Sequence, residues 1–136
     1  MHVYMDIYNS LQIIISGIIC GLIIFQTAFV APTVFKDLAE DNRAPFLRAI
    51  FPKLFKALII LGLLVLIFSF LQTSNSLIGY VVGGVTLISG AICNSIIPAT
   101  NQARDEKNDK KFSFLHTISV SLTIGTLLVN LLWIFI

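Results

Sequence analysis

Four apolar runs divide this chain: Leu11 to Ala31, Leu54 to Leu71, Leu77 to Ile97, and about Phe112 to Ile136. Each approaches the ~20 apolar residues that a helix needs to cross the hydrocarbon of a bilayer. Only Gln72 to Ser76 separates the second run from the third, a short uncharged turn that forces the two into a hairpin. The pattern predicts an all-α fold, an integral membrane four-helix bundle with antiparallel spans, forming a single domain over residues 1–136.

The segment between the first two runs carries a pattern of its own. Asp41 and Asn42 before Pro45 resemble a helix start, and Phe46, Leu47, Ile50, Phe51 and Leu54 recur at helical spacing with Arg48 off that face. This predicts a short interfacial helix between spans one and two, broken from the second span at Pro52; the alternative is a second span that begins at Pro45 and kinks. The segment from Thr100 to Lys111 is polar and charged and is expected to be a mobile turn.

Charge gives the orientation. All nine Lys and Arg residues fall between Lys36 and Lys56 or between Arg104 and Lys111. Basic residues stay on the side from which a helix is not translocated, so the loops 32–53 and 98–112 are expected in the cytoplasm and both termini outside, as in a bacterial inner-membrane protein. Tyr4, Tyr8, Tyr80 and Trp133 would then furnish the outer headgroup layer, and phenylalanines such as Phe29, Phe35 and Phe112 the inner one. A hydrophobic content of 57% excludes an ordinary soluble domain, and a net charge of +2 with acidic residues interspersed excludes a nucleic-acid footprint. Residues 1–10 hold no Lys or Arg and no A-x-A site follows, so the first run is expected to remain as a helix. Cys20 and Cys93 lie at depths differing by roughly 10 Å, which argues against a disulfide and for buried thiols.

Small residues indicate packing. Gly17 with Gly21, Gly79 with Gly83, Thr86 with Gly90 and Ser121 with Gly125 are four-residue pairs of the kind that let helix backbones approach in lipid. They predict a tight core of spans one, three and four, with the second span, almost uniformly Leu, Ile, Val and Phe, facing lipid most.

Polar residues within the spans carry the candidate chemistry. His116, Ser119, Thr123, Thr126 and Asn130 form one seam on the fourth span, which must face protein or water. Interhelical hydrogen bonding accounts for the Ser and Thr members. His116, Gln26 and Asn94 each lie about one turn from the inner end of a span and are expected at a common depth, with Arg104 or Lys53 within reach of an anionic group. A histidine in a membrane is a functional candidate because its charge can change near neutral pH; hydrogen bonding to a loop carbonyl is the plain alternative. Two cysteines at different depths and two histidines on opposite faces do not make a zinc site or a bis-histidine haem site within one chain. No phosphate-binding loop, nucleophile elbow or paired intramembrane carboxylates are present.

Ala31-Pro32-Thr33-Val34-Phe35, Phe51-Pro52, Asn94 with Pro98, and Phe112 with Leu115-His116 and Ser119 together resemble the transmembrane protein 205 family of small four-helix membrane proteins. Thr117 stands where that family usually has Gly, and Thr123 where it often has Asn. The resemblance implies structural roles for Pro32, Phe35, Pro52 and Pro98 and site roles for Asn94, His116 and Ser119; it assigns no activity.

The reading that follows is a membrane protein of unknown function with a polar pocket near the cytoplasmic face, binding or passing a small ligand through Gln26, Asn94, His116, Ser119, Arg104 and Lys53. Transport would require a homo-oligomer, since one bundle of four helices is too thin for a wide pore. Two alternatives stay open. One is a membrane redox or porphyrin enzyme with haem or a porphyrin between the helices, and the other is a structural or assembly subunit of a membrane complex.

Overall fold

A computed structural model describes residues 7–72 and 77–136. His2, Tyr4 and most of the turn between the second and third spans lie outside the described residues. The chain there is helical almost throughout: α1 (Ile7–Phe25), a π-helical turn (Gln26–Val30), α2 (Ala31–Asp37), α3 (Glu40–Leu71), α4 (Leu77–Asp105), α5 (Asp109–Leu131) and a terminal 3-10 turn (Leu132–Ile134). Four stretches are long and apolar enough to cross a membrane: Ile7–Asp37, Glu40–Leu71, Leu77–Asp105 and Asp109–Leu131.

The packing order is a ring. α3 pairs most extensively with α4, α4 with α5, and α1 closes the circuit against α3 and α5. The buried positions explain this order. Phe55, Leu58, Gly62, Val65 and Ser69 on α3 recur at intervals of three and four, as do Gly79, Val82, Thr86, Ser89 and Cys93 on α4. Each set forms one stripe on its helix, the seam along which membrane helices pack. On α1 the stripe runs through Gln12, Ile15, Ile19 and Ile23 to Gln26 of the π turn.

The tightest seam is α3 against α4, which corrects the expectation that the second span faces lipid most. A Cβ placed on Gly62 would come within 2.7 Å of the Leu87 backbone nitrogen and 3.1 Å of the Gly83 carbonyl oxygen. One on Gly83 would meet Leu66, and one on Gly90 would meet Ile59 and the Phe55 carbonyl. A glycine groove needs large side chains opposite it, and the aliphatic residues of α3 are those knobs. Gly79 belongs to the same seam, against Ser69 and Gln12, whereas Gly17 and Gly21 have no non-local atom within 4 Å of a would-be Cβ. The most exposed span is the fourth, with 6% of its most apolar window buried against 28% for the second.

Three further boundaries differ from expectation. Residues 40–52 are not a separate interfacial helix: α3 runs unbroken through Pro45 and Pro52. Each proline removes one backbone donor, and the helix resumes beyond it. The first span likewise continues past Pro32 to Asp37. Pro32 cannot donate to Ala28, and the widened turn before it, in which Ala31 N–H donates to the Gln26 carbonyl, absorbs the mismatch. The loop after α4 shrinks to Glu106–Asn108. Lys107 takes φ 54°, Asn108 N–H reaches back 2.9 Å to the Ala103 carbonyl, and the Asn108 side chain caps α5 by accepting from Lys111 N–H at 3.1 Å.

Candidate functional site

The two ends of the bundle are built differently. At the end remote from the basic residues, polar side chains are tied between helices. Gln12 on α1 donates to Ser69 Oγ (3.3 Å) and Gln72 Oε1 (3.4 Å) of the α3 end, while Asn130 on α5 donates to Thr86 Oγ1 on α4 (2.9 Å) and to the Thr126 carbonyl (2.8 Å). Gln12, Thr86 and Thr126 are fully buried. Of the fourth-span seam, then, Asn130 makes the cross-helix bond, whereas the hydroxyls of Thr123 and Thr126 donate to carbonyls one turn back, at 2.7 and 2.8 Å.

At the basic end the helices enclose a cavity of about 710 Å³. The π turn of the first span forms one wall and contributes Gln26, Thr27 and Ala28; α5 forms the opposite wall from Phe112 through His116, Ser119 and Thr123 to Leu127. α3 supplies Arg48, Phe51 and Phe55, and α4 supplies Ile97, Thr100, Asn101 and Arg104. The α4 contribution is one face of the helix: 97, 100 and 104 continue the spacing of the buried positions 79, 83, 86, 90 and 93. The same stripe that is small and packed at one end becomes polar and open at the other.

Two arginines stand at the mouth with different company. Arg48 pairs with Asp105 and also donates to the Asn101 carbonyl at 3.5 Å, which ties the start of α3 to the end of α4. Arg104 lies 4.4 Å above the Phe112 ring, and among the described residues it makes no ion pair. Phe112 stacks in turn on His116, with ring centroids 5.7 Å apart and planes within 7°. Guanidinium, phenyl and imidazole thus form one stack along the mouth. Further in, Gln26 is 8% exposed and its amide nitrogen has no acceptor, an unmet donor in an apolar setting.

Gln26, Arg104, His116 and Ser119 therefore border one cavity, while Asn94 and Lys53 do not. Nor do Gln26 and His116 share a depth. Cys20 Sγ contacts the Leu127 carbonyl at 3.9 Å, so Gln26, six residues inward, sits opposite about residue 121, roughly 7 Å deeper than His116 at 1.5 Å per residue. Placing the inner end of the first span at Pro32 obscured this, because the helix continues for more than a turn beyond it. Arg48, Asn101 and the π turn escaped sequence reading. The signal for the last was present as Pro32 following the polar pair Gln26-Thr27, and that for Asn101 as the continuing α4 stripe. Among the described residues no three of His, Cys, Asp and Glu come together as a metal site, and both cysteines are free and buried.

These features define a small all-helical membrane protein with an open interior at its basic end. The chain belongs to the family described as domain of unknown function DUF4149, whose model matches residues 14–109. The match takes in α1 from Ile14 through the end of α4, and so includes Gln26, Asn94 and Arg104 but stops short of His116 and Ser119. The transmembrane protein 205 name finds no support in these comparisons. No curated protein and no solved structure matches the chain.

Proposed function

We propose that this protein binds a small ligand in the cavity at its basic end, with Gln26, Arg104, His116 and Ser119 as the groups that contact it. The observation that carries this reading is a 710 Å³ cavity at the basic end whose wall brings Gln26, Arg104, His116 and Ser119 together. The π turn that carries Gln26 is a rare form, seen mostly as single turns inside α-helices and frequently at functional sites. In this reading the spans alternate in direction as an antiparallel bundle. The basic end faces the cytoplasm of a bacterial inner membrane by the distribution of Lys and Arg, and the start of α3 lies in the inner headgroup layer. The exposure of α5 leaves one helix face for a second copy of the chain or an assembly partner.

The test is mass analysis and an absorption spectrum of protein purified in mild detergent, for wild type, Gln26→Ala and His116→Ala. A defined small molecule present in wild type and depleted from both variants, at unchanged melting temperature, is the expected result. A Soret band that both substitutions remove would identify the ligand as a porphyrin. Identical small-molecule content in all three proteins would overturn the proposal.

A further inference from the structure

The cavity's shape and lining go beyond a generic small ligand. Resting on the binding reading above, we propose that the occupant is a single-chain amphiphile with an anionic head, drawn from the surrounding membrane: the acidic head lies at Arg104 and the hydrocarbon chain runs along α5 toward Leu127.

Three observations converge on that chemistry. The first is length with a polarity gradient. From Phe112 to Leu127 the cavity follows about 22 Å of α5 at 1.5 Å per residue. Its mouth presents Arg104 and His116, and its depth presents Ile23, Phe55, Ile124 and Leu127. A compact hydrophilic anion would satisfy the mouth and leave the apolar depth wetted, whereas a chain fills it and removes that surface from water. The second is charge. Of the two arginines on the wall, Arg48 is neutralised by Asp105, and Arg104 meets only an aromatic face, so one positive charge at the mouth lacks a counter-ion among the described residues. A carboxylate or phosphate supplies it with charge-assisted hydrogen bonds. The third is the opening. Ile24 and Ile124 are wall residues of the cavity and yet 46% and 51% exposed. Exposed apolar wall residues on both helices at one depth fit a cavity that opens sideways between the first span and α5. Such a slot faces lipid, so the source is the bilayer and not the aqueous phase.

The experiment is photolabelling in phosphatidylcholine vesicles with diazirine-bearing palmitic acid, compared with the diazirine-bearing palmityl alcohol, followed by peptide mapping. The acid should label the peptides of the π turn and α5, unlabelled palmitate should compete, and the alcohol should label them about tenfold less, as loss of one charge-assisted contact implies. Arg104→Gln, at an exposed position whose loss leaves the helix seams untouched, should lower acid labelling by a similar factor and leave alcohol labelling unchanged; Arg104→Lys should restore most of it. Equal labelling by acid and alcohol, insensitive to Arg104→Gln, would overturn the anionic head. Labelling confined to lipid-facing surfaces while gently purified protein still retains a water-soluble molecule lost in His116→Ala would overturn the amphiphile and leave the binding cavity standing. Absence of both labelling and retained ligand would remove the two proposals together.

Discussion

The remote half of the bundle and the basic half are made from the same four helices, yet one is closed and the other open. In the remote half, glycine grooves of α4 receive α3, and amides on α1 and α5 tie the helices across the core. In the basic half arginines, aromatic rings and polar side chains line an open space. The difference teaches where each helix's residues contribute. Small residues and cross-helix hydrogen bonds hold the bundle at the remote end, whereas buried polar atoms without a partner occur at both ends, Gln12 Oε1, Ser16 Oγ and Asn130 Oδ1 in the one and Gln26 Nε2 in the other.

The comparison is most readily broken in the α3–α4 seam. Gly62→Ala places a methyl group against the Leu87 backbone, which cannot rotate away, so the helices must separate. A loss of about 2–3 kcal/mol is expected, toward the upper end for overpacking, read as a lowered midpoint of thermal or SDS unfolding in detergent. Gly83→Ala should cost less, since its nearest atom is the Leu66 side chain, although the Leu66 backbone nitrogen also lies at 3.0 Å. Gly17→Ala, with open space at its Cβ, should instead gain about 0.5 kcal/mol from helix propensity. Equal losses for Gly17→Ala and Gly62→Ala would refute the seam.

That contrast also shows how far the sequence could be read. The four spans, the helical class and the separation of basic from non-basic ends are all carried by local composition, and they were legible. Which glycines pack was not, because Gly17-Gly21 and Gly79-Gly83 look alike as spacings and differ only in what stands opposite. Gly62 has no small partner four residues away and left no trace as a motif, although it makes the closest approach to a neighbouring backbone. At the site, Gln26, Arg104, His116 and Ser119 were legible as polar residues near the basic end of apolar helices. Asn94 does not border the cavity because its place on α4 is off the stripe that faces it: 93, 97 and 100 lie on that stripe and 94 does not. Arg48 was read as belonging to an interfacial helix, since two prolines nearby suggest a break that the chain does not make.

A smaller effect is expected where the remote half is tied by side chains. Asn130→Ala removes the bond to Thr86 and some packing while Thr86 keeps its own bond to the Val82 carbonyl at 2.8 Å. Cross-helix hydrogen bonds in membranes contribute about 0.6 kcal/mol on average, so a loss of roughly 1–2 kcal/mol with the packing included is expected in the same unfolding assay. A loss below the assay's error would mean that the polar tie adds nothing to the closure of this half.

The smallest change in stability, and the sharpest test of the contrast, is Gln26→Leu. Leucine is close to glutamine in length and volume, so the π turn keeps a side chain of similar bulk on the cavity wall. The amide of Gln26 differs from that of Asn130 in one respect: its nitrogen donates to nothing in the chain. Replacing an unsatisfied buried donor with an apolar group removes a desolvation penalty and forfeits no hydrogen bond from that nitrogen, so stability should stay within about 0.5 kcal/mol of wild type or rise slightly. Ligand retention should fall at the same time, because a polar group of the cavity wall is gone. Stability and binding thus move in opposite directions at Gln26, whereas at Asn130 stability alone should move. If Gln26→Leu destabilises the protein as much as Asn130→Ala does, the amide has a partner within the fold, and the basic half is as closed as the other.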